Sequence, residues 1–101
     1  MSDFVRLSLI FPPALENAVT DALIADPGLP GFTLFHAEGH TSHFANATVA
    51  ERVRGRVERR ILWVVVERER VEEVLDALRR RVASHDVRWW TEAILAHGRL
   101  A

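Results

Sequence analysis

The stretch Val57-Glu58-Arg59-Arg60-Ile61-Leu62-Trp63-Val64-Val65-Val66-Glu67 decides the fold. Its centre, Ile61 to Val66, is an unbroken apolar run, β-branched or aromatic at every position but Leu62, closed by charge at both ends. Such a run reads as a strand buried on two sides. Along an extended backbone Ile61, Trp63 and Val65 fall on one side, and Leu62, Val64 and Val66 on the other. A sheet that carries helices on one face only leaves its second face to water, and its strands then alternate between apolar and polar residues. This strand does not alternate in that way, so both of its sides need cover.

Working outward, Phe4 to Phe11 alternates, with Val5, Leu7, Leu9 and Phe11 on one side and Phe4, Arg6, Ser8 and Ile10 on the other. Pro12-Pro13 stops this strand, and Pro13 suits the first turn of a helix, where its missing N–H has no helical partner. Leu15, Ala18, Val19, Ala22 and Leu23 then form one apolar helical face, ended by Asp26-Pro27-Gly28. Gly31 to His40 reads as a second strand, with Phe32, Leu34 and His36 opposite Thr33, Phe35 and Ala37. Thr41 to Arg56 is polar and reads as a long loop; Thr48-x-x-Glu51 is a capping-box pattern that would start a helical turn or two over Val49 to Arg54, closed by Gly55. After the central strand, Val71, Val74, Leu75, Leu78 and Val82 give a second amphipathic helix, ended by Arg79-Arg80-Arg81, whose charge suits a helix C-terminus. Ser84-His85-Asp86 is a turn, and Val87 to Leu95 is the fourth strand, with Trp89 and Trp90 on opposite sides.

The order β-α-β-β-α-β predicts a ferredoxin-like α+β sandwich with both helices on one face of an antiparallel sheet. The 101 residues fit one domain, 1–101. Each large apolar side chain of the second face is worth roughly 1.5–3 kcal/mol when buried, and soluble monomers rarely leave a patch of that kind wet. The expectation is a closed homo-oligomer; the competing reading is a monomer whose long loop covers the strand ends. Trp63, Trp89 and Trp90 are read as core or subunit-contact residues.

Composition excludes several functions. There is no cysteine, so disulfides, thiolate metal sites and cysteine nucleophiles are out. All thirteen basic residues are arginine, which removes lysine chemistry. A net charge of −1 and the lack of aromatic residues interleaved with the basic ones argue against a nucleic-acid partner. No run reaches the ~20 apolar residues of a membrane span, and Val5 to Ala14 lacks the basic start and small-residue cleavage site of a signal peptide. A soluble, cytoplasmic domain without membrane insertion is the expectation. Ser8, Ser42 and Ser84 have no G-x-S-x-G context, so no enzyme is expected; a small ferredoxin-like enzyme using Glu38 with His36 or His40 is the third reading.

Two clusters carry chemistry. His36, Glu38, His40 and His43 gather ligands suited to zinc, copper, nickel or cobalt. His36 and His40 would lie ~13 Å apart on one extended strand, too far for two nitrogens at ~2.1 Å from one zinc. The metal candidate is therefore Glu38, His40 and His43, against solvated strand-end and loop histidines. Arg52, Arg54, Arg56, Arg59 and Arg60 crowd the end of the loop and the start of the third strand. Guanidinium groups bind phosphate and carboxylate in pairs of hydrogen bonds, so Arg52, Arg54, Arg56 and Arg59 are the anion-binding candidates. The competing reading is a charged face paired with Glu51 and Glu58. His85 and His97 stand alone and are read as structural.

Several pieces resemble the PII signalling superfamily, which includes the CutA divalent-cation tolerance proteins: Gly31-Phe32-Thr33-Leu34 at the second strand, and Thr41 to Arg56 where those proteins carry a T-loop. Pro12-Pro13-Ala14-Leu15-Glu16, Gly39-His40-x-Ser42-His43, Ala50-Glu51-x-Val53-x-Gly55-Arg56 and the Trp90 strand with Gly98-Arg99-Leu100 resemble more closely a PII-like branch encoded beside heavy-metal efflux systems. The resemblance implies a cytoplasmic homotrimer with its sheets facing inward. It implies non-enzymatic sensing of a nucleotide, another anion or a metal such as copper or zinc at inter-subunit clefts. It implies signalling through the 41–56 loop to a membrane transporter or efflux partner, in metal homeostasis. A CutA-like metal-binding protein is the alternative. Nucleotide-binding PII proteins carry a glycine-rich basic loop before the fourth strand; Ala83 to Asp86 has no glycine.

Overall fold

The computed structural model describes residues 3–40 and 56–101, with Arg56 described by its backbone alone. The elements run β1 (Phe4–Phe11), α1 (Glu16–Ile24), β2 (Phe32–His40), β3 (Arg56–Glu67), α2 (Val71–Arg79) and β4 (Arg88–Ala93). They form one antiparallel sheet in the order β2-β3-β1-β4. This is the ferredoxin-like α+β sandwich that the periodicity predicts. The element bounds differ in detail. One turn of 3-10 helix precedes each α-helix, at Pro13–Leu15 and Arg68–Arg70, and β4 is shorter than the Val87–Leu95 pattern.

Local chemistry sets these limits. Pro13 enters the first turn, and Leu15 N–H donates to the Pro12 carbonyl. At the other end of α1, Asp26 makes a tight turn. Its side chain accepts from Gly28 N–H at 2.9 Å and its carbonyl from Leu29 N–H at 3.2 Å. Arg70 then ties this turn to the start of α2, with Nη2 to Asp26 Oδ2 at 2.7 Å. The Arg70 hydrogen bond, helped by Gly28 N–H, holds the Asp26 carboxyl below its usual range. Before β4, Asp86 N–H donates to Ser84 Oγ and Val87 N–H to the Ser84 carbonyl. The short connection read as a turn is one.

The core lies between the helices and one face of the sheet. Leu7, Leu9 and Phe11 of β1 and Leu62, Val64 and Val66 of β3 meet Val19, Ala22 and Leu23 of α1 and Val74, Leu75 and Leu78 of α2. Cross-strand register brings Leu7 to Val64 and Leu9 to Leu62, so the apolar sets of the two central strands coincide. Burial of each such side chain contributes roughly 1.5–3 kcal/mol. Arg60 belongs to this side too: its Nε donates to Glu16 Oε1 at 2.7 Å at the foot of α1.

Neither helix touches the other face. There Ile61, Trp63 and Val65 of β3 and Phe35 of β2 are half-buried. At the edge strand, Trp89 on the helix side and Trp90 on the open side are 44% and 41% exposed.

Candidate functional site on the open sheet face

The open face is not a plain apolar surface. Arg6 and Ser8 project from β1 between the apolar residues of β3 and the edge strand β4. Register sets Arg6 opposite Val65 on one side and Glu92 on the other, and Ser8 opposite Trp63 and Trp90. Glu92 becomes the hub. It accepts from Arg6 Nη2 at 2.6 Å, from Ser8 Oγ at 3.1 Å and from Trp90 Nε1 at 3.0 Å. The Arg6 bond foremost, with those of Trp90 and Ser8, holds the Glu92 carboxyl below its usual range against the cost of desolvation.

The Arg6 guanidinium lies over the Trp63 ring, 3.9 Å from its centroid. Stacking of this kind is attractive because the aromatic face is electron-rich. Trp63 in turn meets Phe35 edge to face, with centroids 4.8 Å apart. One donor stays unmatched: Arg6 Nε is buried without a hydrogen-bond partner. Beyond β4 the chain turns back toward the same face, where the His97 ring packs against Phe4 at 4.3 Å. Arg6, Trp63, Val65, Glu92, Ile94 and His97 line a groove of about 580 Å³.

The residues singled out from sequence are placed differently. His36, Glu38 and His40 share the helix-side face of β2, and all three are exposed. His40 Nε2 stands 3.9 Å from Glu38 Oε2. His43 lies outside the described residues, and among the described residues no three His, Cys, Asp or Glu side chains are grouped as metal ligands. The arginine run divides. Arg60 points to the helix side and is held by Glu16, whereas Arg59, on the open face, donates from Nη1 to the Glu58 carbonyl at 2.8 Å. Alternation along β3 forces that division. Arg52, Arg54 and the Arg56 side chain lie outside the described residues, as do the long loop, the Thr48-x-x-Glu51 capping pattern and Ser42.

Sequence reasoning missed Arg6, Ser8, Glu92 and the contact made by His97. The available signal was three polar residues on strand faces otherwise apolar; their convergence depends on a pairing between positions more than eighty apart.

The architecture is that of a PII-like α+β protein. The Arabidopsis thaliana PII structure bound to citrate aligns with a TM-score of 0.68 at 18% identity, covering 93% of this chain and 77% of that one. The chain belongs to the family described as protein of unknown function DUF3240, which matches residues 1–101. A crystal structure of a DUF3240 protein from Shewanella baltica OS155 aligns over the whole of both chains, with a TM-score of 0.82 and 23% identity. No curated protein matches the chain. Among the described residues no helix is long and apolar enough to cross a membrane.

Proposed function

We propose that this protein is a non-enzymatic, PII-like regulatory protein. It is a homotrimer whose open sheet faces turn inward, and it takes a small ligand at the clefts so formed. The observation that carries the reading is the open face itself: Phe35, Ile61, Trp63, Val65 and Trp90 lie on a side of the sheet that neither helix covers. Its Arg6–Glu92 ion pair is braced within the chain by Ser8 and Trp90. Burying such a face against copies of the same chain gains apolar burial without stranding the Glu92 charge.

The signalling element is the 41–56 segment, which joins the paired ends of β2 and β3, where His40 faces Arg56. Arg52, Arg54, Arg56 and Arg59 are the residues for an anionic ligand, a nucleotide or another anion, at the base of that segment. The proposed partner is a membrane transporter or efflux protein in heavy-metal homeostasis. Ligand binding changes the surface that this segment presents to the partner. Calorimetric titration with ATP and with citrate tests this. Saturable binding to at least one, lost in Arg56→Ala, is expected; no binding to either removes the anion-sensor reading.

The 3.9 Å approach of His40 to Glu38 favours a second reading, a CutA-like protein that binds copper or zinc through Glu38, His40 and His43. Titration with each metal separates the two. Unchanged affinity in a His40→Ala/His43→Ala double variant removes it.

A further inference from the structure

We propose that the groove beside Arg6 and Glu92 binds a small zwitterion of the α-amino-acid type with an apolar side chain. This goes beyond the regulatory reading, because one chain alone lines the groove; copies that close over the open face would enclose it.

The first argument is charge. Arg6 and Glu92 stand in contact at 2.6 Å, so the groove floor holds one positive and one negative group side by side. A simple anion is drawn to Arg6 and repelled by Glu92, and a simple cation meets the reverse. A ligand carrying a carboxylate and an ammonium one carbon apart satisfies both.

The second argument is hydrogen-bonding capacity. A guanidinium has five N–H donors and a carboxylate about four acceptor positions. Arg6 gives one bond to Glu92 through Nη2, and its side chain stays 32% exposed, so N–H groups of the guanidinium remain open to the groove. Glu92 accepts three bonds, from Arg6, Ser8 and Trp90. Each group therefore keeps capacity after pairing with the other. The Trp63 stack and the Trp90 and Ser8 bonds fix both groups in place, so a ligand meets them already oriented.

The third argument is the lining. Around the charged pair the walls are Trp63, Val65 and Ile94, with His97 at one side. Its volume of about 580 Å³ is ample for an amino acid, and such a lining, mostly apolar with few polar groups, is typical of small-molecule sites. The charged pair takes the head group, and the apolar walls take the side chain.

The test uses the full chain with L-leucine and two analogues that each lack one of its charges, and with L-isoleucine and L-phenylalanine as further amino acids. L-leucine carries both charges, 4-methylpentanoate only the carboxylate, and 3-methylbutylamine only the ammonium. Calorimetry reads affinity, and light scattering on the same samples reads the oligomeric mass, so loss of assembly and loss of binding are told apart. L-leucine is expected to bind saturably and at least tenfold more tightly than either analogue. Glu92→Gln, which keeps the side-chain shape, is expected to weaken it at least tenfold, with an unchanged circular dichroism spectrum. Ile94→Ala, which shortens an apolar wall of the groove, gives a second variant should Glu92→Gln unfold. It is expected to weaken binding by a smaller factor. Equal affinity for leucine and 4-methylpentanoate overturns the proposal. So does the absence of saturable binding to L-leucine, L-isoleucine and L-phenylalanine alike.

Discussion

The two faces of the sheet are built from the same strands and the same kinds of residue, yet they are in different physical states. On the helix side Leu62, Val64 and Val66 are at most 2% exposed. Their neighbours Ile61, Trp63 and Val65, one step along the same strand, are only half-buried. The helix side keeps its ion pairs at the helix ends, Arg60 with Glu16 and Arg70 with Asp26. The open side holds a fixed ion pair on an aromatic floor. The difference teaches that apolarity in a strand measures the cover it needs and does not say what supplies it. Two helices can cover one face. The other keeps its apolar side chains together with a fixed polar network and carries neither α1 nor α2.

The comparison predicts unequal costs. Phe11→Ala, at a fully buried position on the helix side, is expected to lose about 3–5 kcal/mol in urea unfolding. Ile61→Ala on the open side is expected to cost the dilute chain less than about 1.5 kcal/mol, since exposed or half-exposed positions leave little cavity, while weakening self-association. Equal losses at the two positions would break the distinction between the faces.

The polar network gives a pH signature. The folded state holds the Glu92 carboxyl below its unfolded range. The stability this confers is therefore present above the usual carboxylate pH and is lost as pH falls through and below that range. Glu92→Gln is expected to flatten that part of the stability profile measured by denaturant unfolding. An identical acid limb in the variant would mean that the network is dispensable. Asp26, held low chiefly by Arg70, gives the same sign far from the open face, so Asp26→Asn separates a network effect from a general one.

The smallest effect is expected at Gly31. A Cβ there meets nothing within 4 Å, so Gly31→Ala is expected to raise stability by about 0.4–1 kcal/mol by restricting the unfolded chain. A loss instead would show that the residue between Pro30 and β2 needs conformations only glycine adopts.

Much of the fold was legible in the sequence because it rests on local rules. Alternation in Phe4–Phe11, the Pro12-Pro13 stop, the helical spacing from Leu15 to Leu23 and the two-sided run at Ile61 to Val66 each fix an element by itself. The site was less legible for a physical reason. Glu92 becomes a hub only because β4 pairs with β1 in the register that sets Glu92 beside Arg6 and Trp90 beside Ser8. No spacing in the linear chain reports that pairing. The arginine run shows the opposite error: five neighbours in sequence looked like one cluster, and strand parity sends Arg59 and Arg60 to opposite faces. His97 looked isolated because the chain after β4 has no periodicity to follow, yet it packs on Phe4 from the first strand.

The central claim is that the uncovered side of the sheet is shared among copies of the chain. Sedimentation equilibrium at micromolar concentration tests it most directly. The account predicts a single species of three times the 11.5 kDa chain mass, reduced toward one chain by Trp63→Asp. A wild-type protein that sediments at the mass of one chain across that range would contradict it.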